Sequence, residues 1–512
     1  MPALGVGCGL YSWLLHPLLC GRLRHVPGPW QSNCSSLFLA FHEIAYRRND
    51  KIAQWHKQYG PVVRIAPNEV SVASLQDTRE VYGSRHRWPK SGYFDNFMEY
   101  GARSVFATRS YEAHQAKRRL TSSFYQASNI YRFPELERHI QERSLAALHH
   151  VQQNLGQETD VYSLADWYAL DNITFLVLGP EHCTRCINQD CYERRLLQDL
   201  KYQQFAGPLR IRFPQTLKYA SRFLAKCSRR QFGFLVADNE LASWCQSRFH
   251  NAIDDPRLTR THSLLRHLCD SEAATDESGP GLDKKTIDLQ YIAAEVLDNI
   301  NAAEATVAVT ATYLVWRLTE SPHWQRRIRG ELSRLPVQKD GALAFAHIDH
   351  HVPSLEACLR EVYRLHPASS GRAERVVPPG GRVMSGFYLP ENTIVTASVK
   401  ALHHDENVYP DSNLFAPERW LEIDEQAWKL RDAQLIPFGH GARICLGKAL
   451  ATMEIKLFVA ALYRKYETIK TSSLSAESMR QCSTHDAVPE GLKCMVRFQL
   501  VEHPSDSISA SV

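Results

Sequence analysis

The segment from Pro437 to Gly447 combines residue types that together can hold a reactive sulfur. Its one cysteine, Cys445, is flanked by glycines, and Arg443 lies two residues before it. Glycines let a backbone approach a flat cofactor closely, and an arginine can neutralise a nearby carboxylate. The residues from Lys448 onward predict a helix, whose N-terminal amides would favour a thiolate over a thiol. A lone cysteine is usually an inert core thiol, but this context favours a ligand.

The segment also has fixed residues at the spacing Phe-x-x-Gly-x-Arg-x-Cys-x-Gly, supplied by Phe438, Gly441, Arg443, Cys445 and Gly447. This spacing resembles the haem-binding loop of the cytochromes P450. The resemblance implies haem b (iron-protoporphyrin IX) as the cofactor, Cys445 as the ligand of its iron, and Phe438, Gly441 and Gly447 as residues that shape the binding loop.

Further motifs follow in the order of the same family. Glu361 and Arg364 stand three residues apart in a predicted helix, where they share a face and can pair. The pair alone is not specific, but Leu365-His366-Pro367 follows it and Arg419 comes later within Pro417-Glu418-Arg419-Trp420. This order resembles the family's buried Glu-Arg-Arg cluster. The resemblance implies that Glu361, Arg364 and Arg419 stabilise the core and take no part in catalysis.

A buried haem needs partners for its two propionates, because an unpaired buried carboxylate is costly. The resemblance implies that Arg443, Arg375 and Arg118 supply them. The family has Trp-x-x-x-Arg in the helix that carries the last of these arginines. Here His114 stands at the Trp position, and it still offers an N–H donor.

The stretch from Ala293 to Leu318 predicts a long helix. The family's oxygen-activating helix carries Ala-Gly-x-Asp/Glu-Thr, and counting back from Ser321-Pro322 places Ala302 and Thr306 on its first and last positions. The resemblance implies a proton relay at Thr306 and space for dioxygen beside Ala302. The alternative for Thr306 is a helical threonine that bonds its own backbone.

Two positions of this helix differ from the family pattern, since Ala303 replaces the glycine and Ala305 the acid. Glu304 is not a simple substitute, because residues two apart in a helix are rotated by about 200°. We therefore expect Glu304 to face away from Thr306. Water, Asn301 or a polar group of the substrate are the alternative proton donors.

The remaining chain predicts helices with minor sheets. Residues 60–73 contain two short β-branched runs around Pro67-Asn68-Glu69, typical of a hairpin, and residues 135–335 are mainly helical by periodicity. Residues 382–398 and 493–501 have strand character. The fold class is therefore mainly α with small β-sheets (α+β), in one helix-rich cytochrome P450 domain over residues 26–502, with a short membrane anchor at 1–25 and a tail at 503–512.

Composition excludes several classes of function. The chain has 512 residues and a net charge of only +5, without a run of five Lys or Arg residues, so nucleic-acid binding is not indicated. Its 13 cysteines, an odd number, argue for free thiols in a reducing compartment. Cys183, Cys186 and Cys191 with His182 suggest zinc, but a second Cys-x-x-Cys or His pair is missing.

Two features predict contact with a membrane. Residues 1–20 are nearly free of charge and Arg22 and Arg24 follow, which predicts an anchor in the endoplasmic reticulum membrane with the catalytic domain facing the cytosol. A frayed or monotopic tail is the alternative. Between Asp199 and Asp238, basic and apolar side chains alternate without an acid. That pattern suits an anionic membrane surface or simply a solvated face.

The resemblance is closest to fungal microsomal members of specialised metabolism, and it implies insertion of one oxygen atom from O2 into a small organic substrate. The chain has no G-x-G-x-x-G fingerprint, so we expect electrons from a separate NADPH-cytochrome P450 reductase. Basic residues would flank the face that receives it: Lys117, Arg118, Arg119, Arg443 and Lys448. The alternatives are a reductase-independent isomerase or dehydratase, which Ala305 favours, and a non-enzymatic haem-binding protein.

Overall fold

The computed structural model of the chain describes residues 21–274, 288–369, 371–421 and 424–501. The predicted anchor lies outside the described residues except for residues 21–25, and so does the predicted tail at 503–512. Within the described ranges, no helix has the length and the apolar character needed to cross a bilayer.

Helices form most of the described chain, as the sequence predicts. Those of the first half are α1 (Gln31–Cys34), α2 (Leu37–Ile44), α3 (Arg48–Tyr59), α4 (Leu75–Tyr82), α5 (Tyr111–Ser122), α6 (Ala127–Ile130), α7 (Pro134–Gln153), α8 (Val161–Leu178), α9 (Tyr192–Gln203), α10 (Gly207–Arg212), α11 (Pro214–Cys227), α12 (Arg229–Phe232) and α13 (Ala237–Ile253). Those of the second half are α14 (Leu264–Ala274), α15 (Leu289–Thr319), α16 (Pro322–Leu332), α17 (Phe345–His351), α18 (Pro353–Leu365), α19 (Val399–His403), α20 (Glu425–Gln434) and α21 (Lys448–Lys465).

The strands form small sheets at the edges of this helical body. They are β1 (Val62–Ala66), β2 (Glu69–Val72), β3 (Glu158–Asp160), β4 (Arg375–Val376), β5 (Arg382–Met384), β6 (Phe387–Leu389), β7 (Ile394–Ala397), β8 (Tyr466–Lys470) and β9 (Met495–Leu500). One sheet has the order β1-β2-β7-β4, a second β3-β9-β8, and β5 pairs with β6. β1 and β2 are antiparallel, with Val62 opposite Val72. The predicted hairpin and the α+β fold class are confirmed.

Helix α15 is the central element of the core. The Asp288 side chain accepts a hydrogen bond from the Tyr291 N–H at 3.0 Å, so the helix begins slightly before the predicted Ala293. It packs against α8, α18 and α21. α21 begins directly after Gly447, as predicted. These contacts hold the predicted oxygen-activating motif of α15 and the cysteine loop in fixed positions relative to each other.

The buried Glu361 cluster joins α18 to the segment that precedes the cysteine loop. Arg364 contacts the Glu361 carboxylate at 2.6 Å and Arg419 at 3.2 Å, with both glutamate and Arg364 completely buried. The carboxylate also accepts the indole N–H of Trp420 at 2.8 Å. Arg364 donates further to the carbonyls of His403, Ser412 and Leu414. Hydrogen bonds within the chain satisfy the carboxylate and hold both guanidinium groups, so the cluster keeps the long loop between residues 403 and 420 in place.

We predict that Arg364→Ala unfolds the chain at markedly lower urea concentration. The change leaves Glu361 buried with one cation fewer, which costs about 3–5 kcal/mol. Urea titration followed by tryptophan fluorescence measures it. The control is Lys429→Ala, which removes an exposed pair with Glu425 on one helix face and should cost about 0.3–0.5 kcal/mol. Equal midpoints for the two variants would contradict a structural role for the cluster.

Candidate active site

The loop around Cys445 is closed by its own backbone. The Cys445 N–H donates to the Phe438 carbonyl at 2.9 Å, and the Ile444 N–H donates to the Gly441 carbonyl at 3.1 Å. Gly439 and Gly441 have φ values of +77° and +72°, which glycine adopts without strain. At Gly441 space is limiting as well, since a Cβ there would lie 2.1 Å from the carbonyl oxygen of Tyr82 at the end of α4.

Cys445 is accessible to solvent, although protein atoms surround its sulfur. Burial raises the pKa of the thiol, whereas the amides of Gly447 and Lys448 and the guanidinium of Arg118 lower it. The start of α21 and one arginine thus favour the thiolate against the cost of burial.

The middle of α15 is accessible in the same way. Asn301 and Ala302 are exposed, and Ala303, Ala305 and Thr306 are partly exposed, although the helix is otherwise mostly buried. The Thr306 hydroxyl donates to the Ala302 carbonyl at 2.8 Å. This is the backbone bond named as the alternative, and it leaves the hydroxyl oxygen free to accept a hydrogen bond from a donor in the accessible space.

Glu304 lies on the other side of this helix, as its rotation predicts. It is buried, and its charged neighbours are Asp166 and Lys201, an ion pair between α8 and α9, together with Asp486. Burial raises the pKa of Glu304 well above its usual value, and the neighbouring carboxylates add to this effect. The Glu304 carboxyl therefore lies near the Asp166–Lys201 ion pair and away from the Thr306 face.

The structure brings together the three predicted propionate partners, Arg443, Arg375 and Arg118, with His114. Arg443 donates to the carbonyls of Thr108 at 3.0 Å and Arg109 at 2.9 Å. Arg375, on β4, donates to the carbonyls of Ala373 and Glu374 at 3.0 and 2.9 Å. Burial lowers the pKa of Arg443, and the positive charges of Arg375 and Arg118 lower it further.

His114 is a neutral member of this group. Burial lowers its pKa to about 2, assisted by the positive charges of Arg443, Lys90, Arg118 and Arg375. Its Nδ1 atom is buried without a hydrogen-bond partner in the described structure. A neutral imidazole has one N–H to donate, so it can take the place of the indole N–H that the family pattern has at this position.

Lys90 is a fifth member, which the sequence analysis missed. It forms a β-bridge with Arg375, and its ammonium lies 4.3 Å from the ring centroid of Phe94 and 4.6 Å from that of Phe106. Burial lowers its pKa strongly, with Arg375 and Arg443 contributing. No motif marks this lysine. Its only sequence signal is a cation in the mainly uncharged run from Trp88 to Phe94.

These five side chains, Lys90, His114, Arg118, Arg375 and Arg443, are here called the basic cluster. Asp298 raises the pKa of Lys90 and Glu112 that of Arg443, but no described carboxylate forms an ion pair with any member. Buried and partly buried cations that form no ion pair with a carboxylate suit an anionic ligand. With a thiol nearby and an unpartnered His114 nitrogen, the residues fit a haem with two propionates.

Only some of the cations predicted to flank the reductase face are exposed. Lys117 does not face outward as expected, because its ammonium contacts the Arg103 carbonyl and lies 4.6 Å from the Tyr291 ring. Arg119 and Lys448 are exposed. His485 packs against the aromatic residues between positions 91 and 106, with its ring 5.1 Å from that of Phe97. No sequence pattern indicated this histidine.

We predict that Gly441→Ala prevents stable haem binding. The new Cβ would collide with the backbone of Tyr82, which cannot move aside as a flexible side chain could. The ratio of Soret to protein absorbance measures haem content. Gly439→Ala is the matched control, with a similar φ but nothing within 4 Å of the added carbon, and it should cost about 1–2 kcal/mol while keeping the haem. Equal haem content would contradict the close approach.

Comparison with known proteins agrees with this geometry. The family model described as cytochrome P450 matches residues 27–485. The chain is 37% identical over 486 residues to the cytochrome P450 monooxygenase FGM1 of Gibberella zeae, covering 93% of each chain. It is 26% identical over 471 residues to the cytochrome P450 monooxygenase cicH of Emericella nidulans, covering 87% of this chain and 88% of that one.

A solved structure shows the same fold. A zebrafish cytochrome P450 with abiraterone has a TM-score of 0.64 and 21% identity, covering 89% of this chain and 99% of that chain. The cofactor of the family is protoporphyrin IX haem, which the cysteine loop and the basic cluster fit. The chain belongs to the cytochrome P450 family and is a monooxygenase, an oxidoreductase that uses haem iron.

Proposed function

We propose that this enzyme inserts one oxygen atom from O2 into a small organic substrate of fungal specialised metabolism, with electrons from a separate NADPH-cytochrome P450 reductase. The observation that carries the proposal is the accessible Cys445 at the start of α21, beside a basic cluster without acidic partners. Fungal relatives that are cytochrome P450 monooxygenases support it. As a member of the family, the chain takes electrons from a redox partner and binds a small molecule.

Different residues of the chain would bind the haem, shape its loop and deliver a proton. Bound haem with a thiolate ligand supplies the activation of dioxygen. Cys445 would ligate the iron, Phe438, Gly441 and Gly447 would shape the loop that presents it, and the basic cluster would hold the propionates. Ala302, exposed on α15, would leave space for dioxygen. The Thr306 hydroxyl oxygen, on the same helix face, would accept a hydrogen bond from a proton donor.

The proposal of a reductase partner rests on the positive charge of one surface of the enzyme. Exposed cations at Arg119 and Lys448 lie on α5, which also carries Arg118, and at the start of α21, which follows the cysteine loop. An acidic flavoprotein surface would be attracted to them, and the attraction would raise its association rate more than its affinity.

A membrane surface in the endoplasmic reticulum, with the catalytic domain facing the cytosol, is the proposed location. Phe41 on α2 is 67% exposed, and Tyr219 and Phe223 on α11 are 69% and 68% exposed. Arg212 at the end of α10 pairs with Glu43 of α2 at 3.0 Å, so the apolar residues of both regions lie on neighbouring elements. Such apolar groups among arginines suit an anionic bilayer surface.

The alternative function is a reductase-independent isomerase or dehydratase. Ala305 favours it, because the usual acid of the oxygen helix is missing and Glu304 faces elsewhere. The accessible Thr306 favours the monooxygenase. The two differ in whether turnover consumes NADPH and oxygen.

We predict that the purified enzyme with reductase consumes NADPH and O2 when given metabolites of its host, and that a product gains one oxygen atom. Mass spectrometry of the product and an oxygen electrode measure this. Turnover without NADPH would favour the isomerase or dehydratase.

Cys445→Ser tests the ligand in the same assay. It should abolish turnover and the strongly red-shifted Soret band of the ferrous carbon-monoxide complex, since only a thiolate gives that band. Cys227→Ser, which alters an exposed cysteine, should keep both. A red-shifted band that persists in Cys445→Ser would refute the assignment.

We predict that Thr306→Ala uncouples the reaction but leaves the haem bound. NADPH oxidation should continue while hydrogen peroxide rises relative to product, because the hydroxyl that positions a proton is gone. Thr310→Ala is the control, since this hydroxyl makes the same bond to the backbone one turn later, at 2.8 Å, and is buried. Coupling that falls equally in both variants would assign the effect to helix geometry.

We predict that a chain beginning at residue 21 still binds phosphatidylserine vesicles, and that salt weakens the binding by screening. Phe41→Ser and Phe223→Ser together should reduce it, as measured by vesicle sedimentation. Leu414→Ser changes a residue that is 61% exposed elsewhere and should leave binding unchanged. No vesicle binding at low ionic strength would leave residues 1–20 as the sole anchor.

A further inference from the structure

The segment between α8 and α9 contains three cysteines, none of which belongs to the haem site. Cys186 is completely buried, Cys191 is partly exposed, and their Sγ atoms lie 3.6 Å apart. Cys183 is directed elsewhere, with its thiol donating to the Pro180 carbonyl at 3.2 Å. The zinc hypothesis gains no support, since His182 pairs with Asp255 at 2.9 Å and no metal-binding group of three such residues occurs in the described ranges.

The backbone at Cys186 is held from two sides. The buried Asp171 carboxylate of α8 accepts the N–H groups of Cys186 at 2.6 Å and Ile187 at 3.2 Å. The Arg194 side chain of α9 donates to the carbonyls of the same two residues at 2.7 and 3.1 Å. This clamp keeps the Cys186 sulfur next to Cys191.

The two thiols differ in accessibility. Cys191 is the N-cap residue of α9, and the Arg194 N–H donates to its carbonyl at 3.2 Å. Burial raises the pKa of both thiols. Cys191 is partly exposed whereas Cys186 is completely buried, so peroxide from solvent reaches the Cys191 sulfur first.

We propose that Cys186 and Cys191 form a reversible disulfide when the enzyme meets hydrogen peroxide. The Cys191 sulfur attacks peroxide, its S–H proton leaves with the departing oxygen as water, and Cys191 becomes a sulfenic acid. The Cys186 sulfur then attacks the Cys191 sulfur, and the hydroxyl leaves as a second water. Two thiols lose two electrons and two protons, and peroxide is reduced to two waters.

The geometry suits this bond. The sulfurs must approach from 3.6 Å to about 2 Å, which rotation of the two side chains can provide. The link would join the segment clamped to α8 to the first residue before α9. Gln204, just beyond the other end of α9, donates to Asp486, so this helix connects the cysteine pair to the segment that contains His485.

Peptide mapping tests the proposal on the intact holoenzyme. Trypsin cleaves after Arg185 and Arg194, so residues 186–194 form one peptide with both cysteines and without Cys183. After treatment with peroxide and alkylation of free thiols, we expect this peptide to carry no alkyl group and to lack two hydrogens. Dithiothreitol before alkylation should restore two alkyl groups.

Variants distinguish the roles of the two sulfurs. Cys186→Ser should leave Cys191 as a sulfenic acid that dimedone traps, and Cys191→Ser should leave Cys186 fully alkylated. Cys183→Ser is the matched control and should form the disulfide like the wild type, with an unchanged Soret spectrum throughout. Two alkyl groups on the wild-type peptide at a peroxide dose that oxidises the exposed Cys227, or dimedone on Cys186 instead of Cys191, would overturn the proposal. Peroxide alone is needed, so failure here would not bear on the proposed monooxygenase reaction.

Discussion

The interior of this cytochrome P450 holds several positive charges close together, and much of the structure depends on how they are accommodated. Burial and the charges of Arg375, Arg443 and Arg118 lower the pKa of Lys90, and burial, Arg375 and Arg118 lower that of Arg443. None of the four has an acidic partner within ion-pair distance in the described chain. Burying like charges together is unfavourable unless an anion balances them. The haem propionates are suitable anions, so cofactor binding and the stability of this region are coupled.

The Glu361 cluster shows the opposite arrangement. Its carboxylate is satisfied by Arg364, Arg419 and the Trp420 indole, all from this chain. One buried charge cluster is therefore complete in itself and stabilises the framework, while the basic cluster is left to be completed by a ligand. The same residue types, arginine and carboxylate, serve structure in one place and binding in the other, and only their partners distinguish the two.

Helix N-termini influence cysteines at two places in this fold. Cys445 lies just before α21 and Cys191 directly before α9, and in both cases backbone amides lower the thiol pKa against the effect of burial. The difference lies in the neighbours. Cys445 is accessible and has Arg118 nearby, whereas Cys191 has a second thiol beside it. The surroundings of each sulfur thus favour a ligand in one case and a redox pair in the other.

The amino-acid sequence by itself determined the family, the α+β class, the cysteine loop and the orientation of Glu304, because these depend on local spacing and helical rotation. The long helix α15 and the β1–β2 hairpin follow from periodicity in the same way. Only the tertiary structure decided that Lys90 and His485 lie near the site, that Lys117 points inward and that Cys186 lies beside Cys191. Those features arise from contacts between distant segments, such as the bridge of Lys90 with Arg375 and the clamp of Asp171 and Arg194. Long-range packing of this kind leaves no periodic pattern in the chain, so a sequence alone does not specify it.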